Sequence, residues 1–577
     1  MQAAIQRAVD KAKEEIRNEV RAELQGAQSA AAFMGTVAER QPKVELFELD
    51  GYYRVRAQML NKLNLRGQPD SAGFNYFPKP FRAGSTIETT NMRLRLEPTI
   101  NASESVRVRA QIDVLDNWIL GSNPGQVSDN LNPDLTSHSD TTYPVPFYGS
   151  TRTYTPGDKT NDRDPIIPRR VWGEFQTPLG LLSFGRMPSS WGLGILANAG
   201  TGLDQDFGDT VDRIQVALPP VGTPIGQLVF VPIFDFDITG VAMHDPHGGA
   251  GQGQPLDADP GADARTLAFK VVRLDTEDDI RRKLDRGERS VNYGLYFNHR
   301  AQRYVYPSWL DQGYSGNYNP ASTGSATFSR RGASANFASL WFRFLGPRLR
   351  VESEVVGLYG SIGNANAGSN EALAPAHLHM RQWGGVLQVE AKASGKFSYG
   401  AELGAASGDG APGFGNDPTR GTFADPNVLP NYGAIEGPQW GRPGDDSINN
   451  FRFNPAYTVD LIFYRRILGQ VTDSIYLRPN TRWEIINGLV LNTSLLYAQA
   501  QCPSSTPSSS SAGPGENSPL DQKGKRPLAL ELDNTLTLTP THGFTGWMDF
   551  GLLKPLAGMG TGTSMAWMID LGLAATF

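Results

Sequence analysis

The C-terminal stretch TSMAWMIDLGLAATF, Thr563 to Phe577, constrains this chain most. Counting back from Phe577 in twos, Ala575, Leu573, Leu571, Ile569, Trp567 and Met565 share one face; Thr576, Ala574, Gly572, Asp570 and Met568 share the other. Successive side chains of a β-strand point to opposite faces, so this is the period of a strand with one apolar and one mixed side.

The same alternation recurs upstream. Asp50, Tyr52, Arg54, Arg56 and Gln58 oppose Tyr53, Val55, Ala57 and Met59. Met92, Leu94 and Leu96 alternate with Arg93, Arg95 and Glu97, and Val106, Val108, Ala110, Ile112 and Val114 alternate with Arg107, Arg109, Gln111 and Asp113. These two runs read as a hairpin turning near 102–104. Further candidate strands are 170–177, 181–187, 211–218, 227–237, 265–274, 291–300, 333–345, 348–359, 382–393, 396–406, 474–485, 489–500, 527–538 and 544–553. Connections such as 177–180, 219–224, 346–347, 394–395, 486–488 and 539–543 are tight. Those at 121–167, 238–264, 302–331, 360–381, 408–454 and 501–525 are long and rich in Gly, Pro, Ser, Asn and Asp. Short turns at one end and long loops at the other are the alternation of a membrane barrel. Segment 457–468 fits helical steps at least as well as strand steps, so it reads as a short helix within a loop. The expected fold is all-β: a transmembrane antiparallel β-barrel of about 18 strands, an even number as bacterial barrels have.

Composition excludes the main rivals. No run approaches the roughly 18 apolar residues that a membrane helix needs, whereas barrel strands need only about ten and alternate. With 53 basic against 59 acidic residues the formal charge is -6, which argues against a nucleic-acid partner. The single Cys502 has no internal disulfide partner and reads as an incidental thiol in a Ser/Pro-rich loop. Between residues 2 and 25, Ile5, Val9, Ala12, Ile16 and Val20 recur at helical steps among charged residues. That pattern gives a solvated amphipathic helix or a coiled-coil oligomerisation segment. An Ala/Gly/Ser linker at 26–32 follows, so 1–45 is expected to be a helix and linker and 46–577 the barrel. The N-terminus lacks the apolar core of a signal peptide; the numbering is expected to begin after a leader.

A charged group on the lipid face near mid-membrane costs roughly 2 to 4 kcal/mol. Arg54, Arg56, Arg93, Arg95, Arg107, Arg109 and Arg170 are therefore expected to line the lumen from the first strands, with Arg348, Arg350, Arg478 and Arg482 doing so later. Two consequences stay open. The arginines form an anion-attracting constriction, or they pair with Glu97, Asp113, Glu174, Glu352, Glu354 and Glu484 and fill the lumen with a salt-bridge lattice. Arg93, Arg95, Arg107 and Arg109 are expected to form one cluster. Asp204, Asp206 and Asp209 read as a solvated turn rather than a calcium loop, since their spacing is not that of an EF-hand. His244 and His247 with Asp245, and His377 with His379, lack a third or fourth metal ligand. No phosphate loop, dinucleotide fingerprint or nucleophile beside a base stands out, so neither an enzyme nor a cofactor is expected.

The stretches FGRMPSSWGLG (184–194), GLDQDFGDTVD (202–212) and DLIFYRRILG (460–469), with the terminal Phe577, are similar to segments of bacterial outer-membrane barrels. The chain resembles porin-like and alginate-export-like members and a deltaproteobacterial barrel family. This resemblance implies a bacterial outer-membrane location with both termini in the periplasm, contact with outer-membrane lipid, and delivery by the barrel-insertion machinery. It implies passive, anion-biased passage of small solutes or of an anionic polymer. The alternative is a scaffold barrel of an envelope-spanning secretion or motility complex, its lumen plugged by long loops, with an envelope partner meeting the N-terminal helix.

Overall fold

A computed structural model describes residues 46–63, 65, 86–120, 166–237, 265–305, 329–363, 377–410, 414, 447–508, 524–541, 543–560 and 562–577. The expected N-terminal helix and linker, and His244, Asp245 and His247, lie outside these residues.

The alternating stretches become strands of one antiparallel barrel. In chain order they are β1 Phe47–Asn61, β2 Thr86–Ser103, β3 Val106–Ile119, β4 Ile166–Thr177, β5 Gly180–Pro188 and β6 Thr210–Ala217. Next come β7 Gly226–Asp237, β8 Arg265–Arg273, β9 Ser290–Val305, β10 Ser329–Leu345, β11 Leu349–Ile362 and β12 Leu378–Lys392. The ring finishes with β13 Phe397–Ala406, β14 Ser474–Ile486, β15 Leu489–Ala500, β16 Pro527–Thr541, β17 Phe544–Pro555 and β18 Ala566–Thr576. Each strand pairs with its successor and β18 pairs with β1, so the sheet closes with no open edge. Of the 20 strands in the sheet, the short Val221–Thr223 and Ser447–Ile448 stand outside the ring, which leaves the 18 that the alternation implied.

The connections sort onto two ends. Turns such as 104–105, 178–179 and 487–488 are tight, and Gly488 makes its turn at φ 84, a conformation open to glycine without strain. At this turn end the structure adds α1, Glu277–Asp285, between β8 and β9, which the alternation did not reveal. Thr276 caps it by accepting from the Asp279 N–H at 3.2 Å, acidic residues fill its first turn and basic ones its last, and none of its residues is buried. At the loop end, the expected short helix within the β13–β14 connection is a single π-helical turn, Phe463–Leu468.

The outer face is apolar along the strands, with Leu340, Val355, Trp383, Leu403, Leu571 and Leu573 all more than 40% exposed, as lipid contact requires. The inner face differs from a purely polar lumen. A buried apolar cluster lies inside the ring, made by Tyr296, Phe337, Trp341, Tyr476, Leu496 and Leu553 of the wall. Residues of two connections that fold inward, 189–209 and 447–473, complete it.

Candidate functional site

Strands β1, β2 and β4 bring Arg54, Arg56, Arg93, Arg95 and Arg170 to one stretch of inner wall. The β1–β2 register sets Arg54 opposite Arg93 and Tyr52 opposite Arg95. Like charges directly opposite repel, so this wall needs carboxylates. The first set comes from irregularities in the strands themselves. Near the end of β3, Leu115 and Asn117 adopt φ values of 52 and 50, and the register with β2 shifts. A bulge re-aims side chains, and here both Asp116 and Asn117 turn inward beside Asp113, all buried. Arg95 meets Asp113 through two bonds of 2.7 and 2.9 Å, Arg93 bonds Asp116, and Arg54 bonds Asn117. A second shift, in the β3–β4 register, brings Arg169 inward next to Arg170, where it bonds Asp113 and, at 2.9 Å, Asp116. No period-two reading finds Asp116 or Arg169, because each owes its place to a break in that period; Asn117 stays in phase with Asp113.

The second set of carboxylates arrives on the connection between β5 and β6. Residues 189–209 enter the barrel and are tied to several strands. Trp191 donates to Ser339 Oγ at 3.0 Å and packs against Tyr296 and Trp341. The N–H groups of Gly194 and Ile195 donate to Glu354 at 3.0 and 3.3 Å. Lys270 donates to Ser190 O at 2.9 Å, and Arg170 donates to the carbonyls of Ala199 and Asp209 at 2.8 and 3.0 Å. The tip of the segment then meets the arginines. Asp206 faces Arg56 at 2.9 Å and both Arg54 and Arg93 at 3.4 Å, while Asp204 faces Arg56 at 2.6 Å. Arg54 and Arg93 also donate to the carbonyls of Leu203 and Gln205, each at 2.8 Å. Burial alone would raise the Asp206 carboxyl, but Arg56, Arg54 and Arg93 outweigh it and hold the group well below the usual carboxylate range. The expectation of a solvated aspartate turn is corrected: Asp206 and Asp209 are 4% and 6% exposed, because a barrel interior lined by arginine attracts them.

The 447–473 segment locks onto the first. Asn454 N donates to Ile195 O at 2.9 Å and its side chain to Asp209 at 2.6 Å. Gln205 donates to Thr458 at 3.1 Å, and Arg465 reaches the Asp204 carbonyl at 2.8 Å. The π-helical turn presents its N-terminal N–H groups to a wall carboxylate, Glu531, which accepts from Ile462 at 2.7 Å and Phe463 at 2.8 Å. Within the segment, Phe451, Phe453, Ile462, Phe463, Tyr464 and Ile467 are all buried. The two segments form one body inside the ring, joined to the arginine wall through Asp204 and Asp206.

The other expected arginines are dispersed. Arg107 and Arg109 lie opposite Asn101 and Thr99, toward the turn end, and both face Glu174 at 3.5 Å. The expected single cluster with Arg93 and Arg95 is therefore two groups, since the hairpin register separates them along the strands. Arg350 pairs with Glu352 at 2.7 Å and Arg478 with Glu402 at 3.4 Å. Arg482 is exposed, four residues along β14 from Arg478, and Arg348 is exposed in the tight turn before β11 rather than on the wall. Of the expected carboxylate partners, Glu97 accepts instead from Gln111 at 2.6 Å and Glu354 from the backbone of the 189–209 segment. Asp204, Asp549 and Asp570 come within 4.8 Å of one another. Arg56 and Arg465 on Asp204, with Arg466 at 4.0 Å from Asp570, already supply positive charge there. The rings of His377 and His379 are 4.7 Å apart, and no third ligand joins them among the described residues.

No family model matches the chain, and no curated protein does. Solved structures with a similar outline include OccAB3 of Acinetobacter baumannii, at 11% identity and a TM-score of 0.43, covering 92% of this chain and 99% of that one. A BenF-like porin from Pseudomonas fluorescens Pf-5 gives 9% identity and a TM-score of 0.43, covering 92% and 99%. OpdL of Pseudomonas aeruginosa gives 8% and 0.43, covering 92% and 98%. Likenesses at this level transfer no residue and no substrate.

Proposed function

We propose that this chain is a bacterial outer-membrane channel of the porin type, through which small hydrophilic solutes pass along the lumen that the barrel wall and the inward-folded 189–209 segment line. The carrying observation is that a closed, apolar-sided barrel turns charged groups inward: Arg54, Arg56 and Arg93 where Asp206 meets them, and Arg107 and Arg109 beside Glu174. Such a lining offers replacement partners for a solute's hydration shell. An anion bias enters on the turn-end side, where Arg107 and Arg109 share the one carboxylate Glu174 and are each 30% exposed. Passage of an anionic polymer, as in the alginate-export-like barrels that the sequence resembles, is the larger version of the same reading. The termini belong on the periplasmic side, where residues 1–45 meet an envelope partner; lipid surrounds the ring and the insertion machinery delivers it.

A specific observation favours a second reading. The 447–473 segment packs a continuous apolar core against the wall, as a permanent plug in a scaffold barrel would. Planar-bilayer recording of the purified full chain separates the two: discrete conductance steps with an anion-leaning reversal potential support the channel, and a silent, correctly inserted protein supports the scaffold.

A further inference from the structure

Three guanidinium groups converge on one carboxylate inside the barrel. Arg54, Arg56 and Arg93 are 0% exposed in their side chains, and Asp206 is 3% exposed. Arg56 has a second acid in Asp204, and Arg93 a second in Asp116. Among the described residues Arg54 has none: its other contacts are the neutral Asn117 side chain and the Leu203 carbonyl, and its Nε is buried without a partner. Asp204 and Asp116 are themselves shared, with Arg465 and Arg169. Charge balance on this part of the wall therefore hinges on a residue that the wall does not own, because Asp206 is carried in by the 189–209 segment. Asn117 adds a neutral clamp, donating to Asp206 at 3.1 Å.

We infer that Asp206 is a positioning and selectivity-determining residue: it pins the 189–209 segment to the wall and, by the same contacts, masks the charge of three arginines from solutes in the lumen. The selectivity half rests on the channel reading above; the pinning half does not. When the segment is docked, the wall presents ion pairs and hydrogen bonds. When the carboxylate is neutralised, a buried positive surplus remains, which admits water and anions and loosens the segment that covered it. The exposed pore charge then rises although the arginines have not changed.

The test compares full-length parent, Asp206→Asn, Asp206→Glu and the double variant Asp206→Asn/Arg54→Gln, each refolded and checked for heat-modifiable insertion. Two readouts are taken: backbone hydrogen exchange over residues 191–209 in detergent micelles, and the reversal potential in a potassium chloride gradient. The expected result is faster exchange of that segment in Asp206→Asn and a reversal potential shifted toward anions. Asp206→Glu restores both, and the double variant brings the reversal potential back toward the parent by deleting one positive charge. Parent-like exchange and reversal potential in Asp206→Asn overturn the inference. Faster exchange with an unmoved reversal potential overturns the selectivity role. If the parent inserts but is silent in bilayers, the channel reading fails on its own, and the exchange arm decides the pin. If Asp206→Asn does not insert, a double variant that does insert supports the charge-balance role, and a double variant that fails as well overturns it.

Discussion

At the scale of single residues, the depth of a charge decides what its removal does. Arg95 and Asp113 are buried and joined by two bonds, so Arg95→Gln strips a buried carboxylate of its principal partner. Breaking such a pair costs about 3–5 kcal/mol, and the expected outcome is a clearly lowered temperature for loss of the compact, heat-modifiable form. Arg107 is 30% exposed and shares Glu174, so Arg107→Gln is worth less than about 1 kcal/mol in stability. Its effect belongs in the reversal potential, which shifts toward cations and does so more in dilute salt, where screening is longer. An unmoved reversal potential in Arg107→Gln would remove the turn-end arginines from any account of anion bias. Asp209 gives a pH dependence. Burial pushes its carboxyl up from 3.8 to about 7, against the bonds it accepts from Asn198 and Asn454. Through that window the released segment has given up its proton while the docked one retains it, so docking weakens as pH rises and the loss is complete above about 7. Exchange of the 191–209 amides, corrected for intrinsic rates, is expected to be slower at pH 5 than at pH 8 in the parent, with a shallower pH slope in Asp209→Asn. An unchanged slope in the variant would place the titration elsewhere.

At the scale of elements, what the sequence displays and what it hides divide by periodicity. A strand with lipid on one side and a lumen on the other repeats every two residues, so β15, Leu489–Ala500, and the start of β14 at Ser474 are readable to the residue. The inward placement of Arg54, Arg56, Arg93 and Arg95 follows from the same period, and all four are buried. Their partners are not periodic. Asp116 and Arg169 depend on bulges, and Asp206 depends on a connection folding back into the lumen, a choice made by contacts with Lys270, Ser339 and Glu354 that lie far away in sequence. The helix α1 escaped because it is one short charged run with no buried face. The π-helical turn shows the opposite limit: its helical steps were visible, but not that a wall carboxylate anchors it. Glu531→Ala leaves the N–H groups of Leu461, Ile462 and Phe463 without that acceptor. A buried donor left unmet costs about 1–3 kcal/mol. The expected result is accelerated exchange confined to residues 459–473, with the strands unchanged, because the ring closes without this segment. Loss of protection in β16 and β17 to the same degree would mean that the plug and the wall unfold as one unit.

At the scale of the whole molecule, stability comes from closure: every strand has two neighbours only if β18 finds β1. The seam is fixed at its end by Phe577, whose N–H donates to Gly51 O at 3.1 Å while its carbonyl accepts from Gly51 N at 2.9 Å. Gly51 is small for a reason, since a Cβ there would stand 2.4 Å from the Arg95 carbonyl and 2.9 Å from the Phe577 ring. The ring itself is 54% exposed and shares the outward face of Leu571 and Leu573, at the turn-end rim. A charge on the lipid face near an interface costs only about 0–1 kcal/mol, and Phe577→Asp keeps both backbone bonds to Gly51. Equilibrium stability therefore allows Phe577→Asp, and a large defect in that variant would act on assembly, before the seam exists. Deleting Phe577 removes the two backbone bonds as well, each worth about 1 kcal/mol net. The expected order of inserted, heat-modifiable protein is parent equal to Phe577→Leu, above Phe577→Asp, above the deletion. Matching yields from all four chains would show that β18 registers on β1 through its interior pairs alone and that the terminal aromatic has no part in closing the barrel.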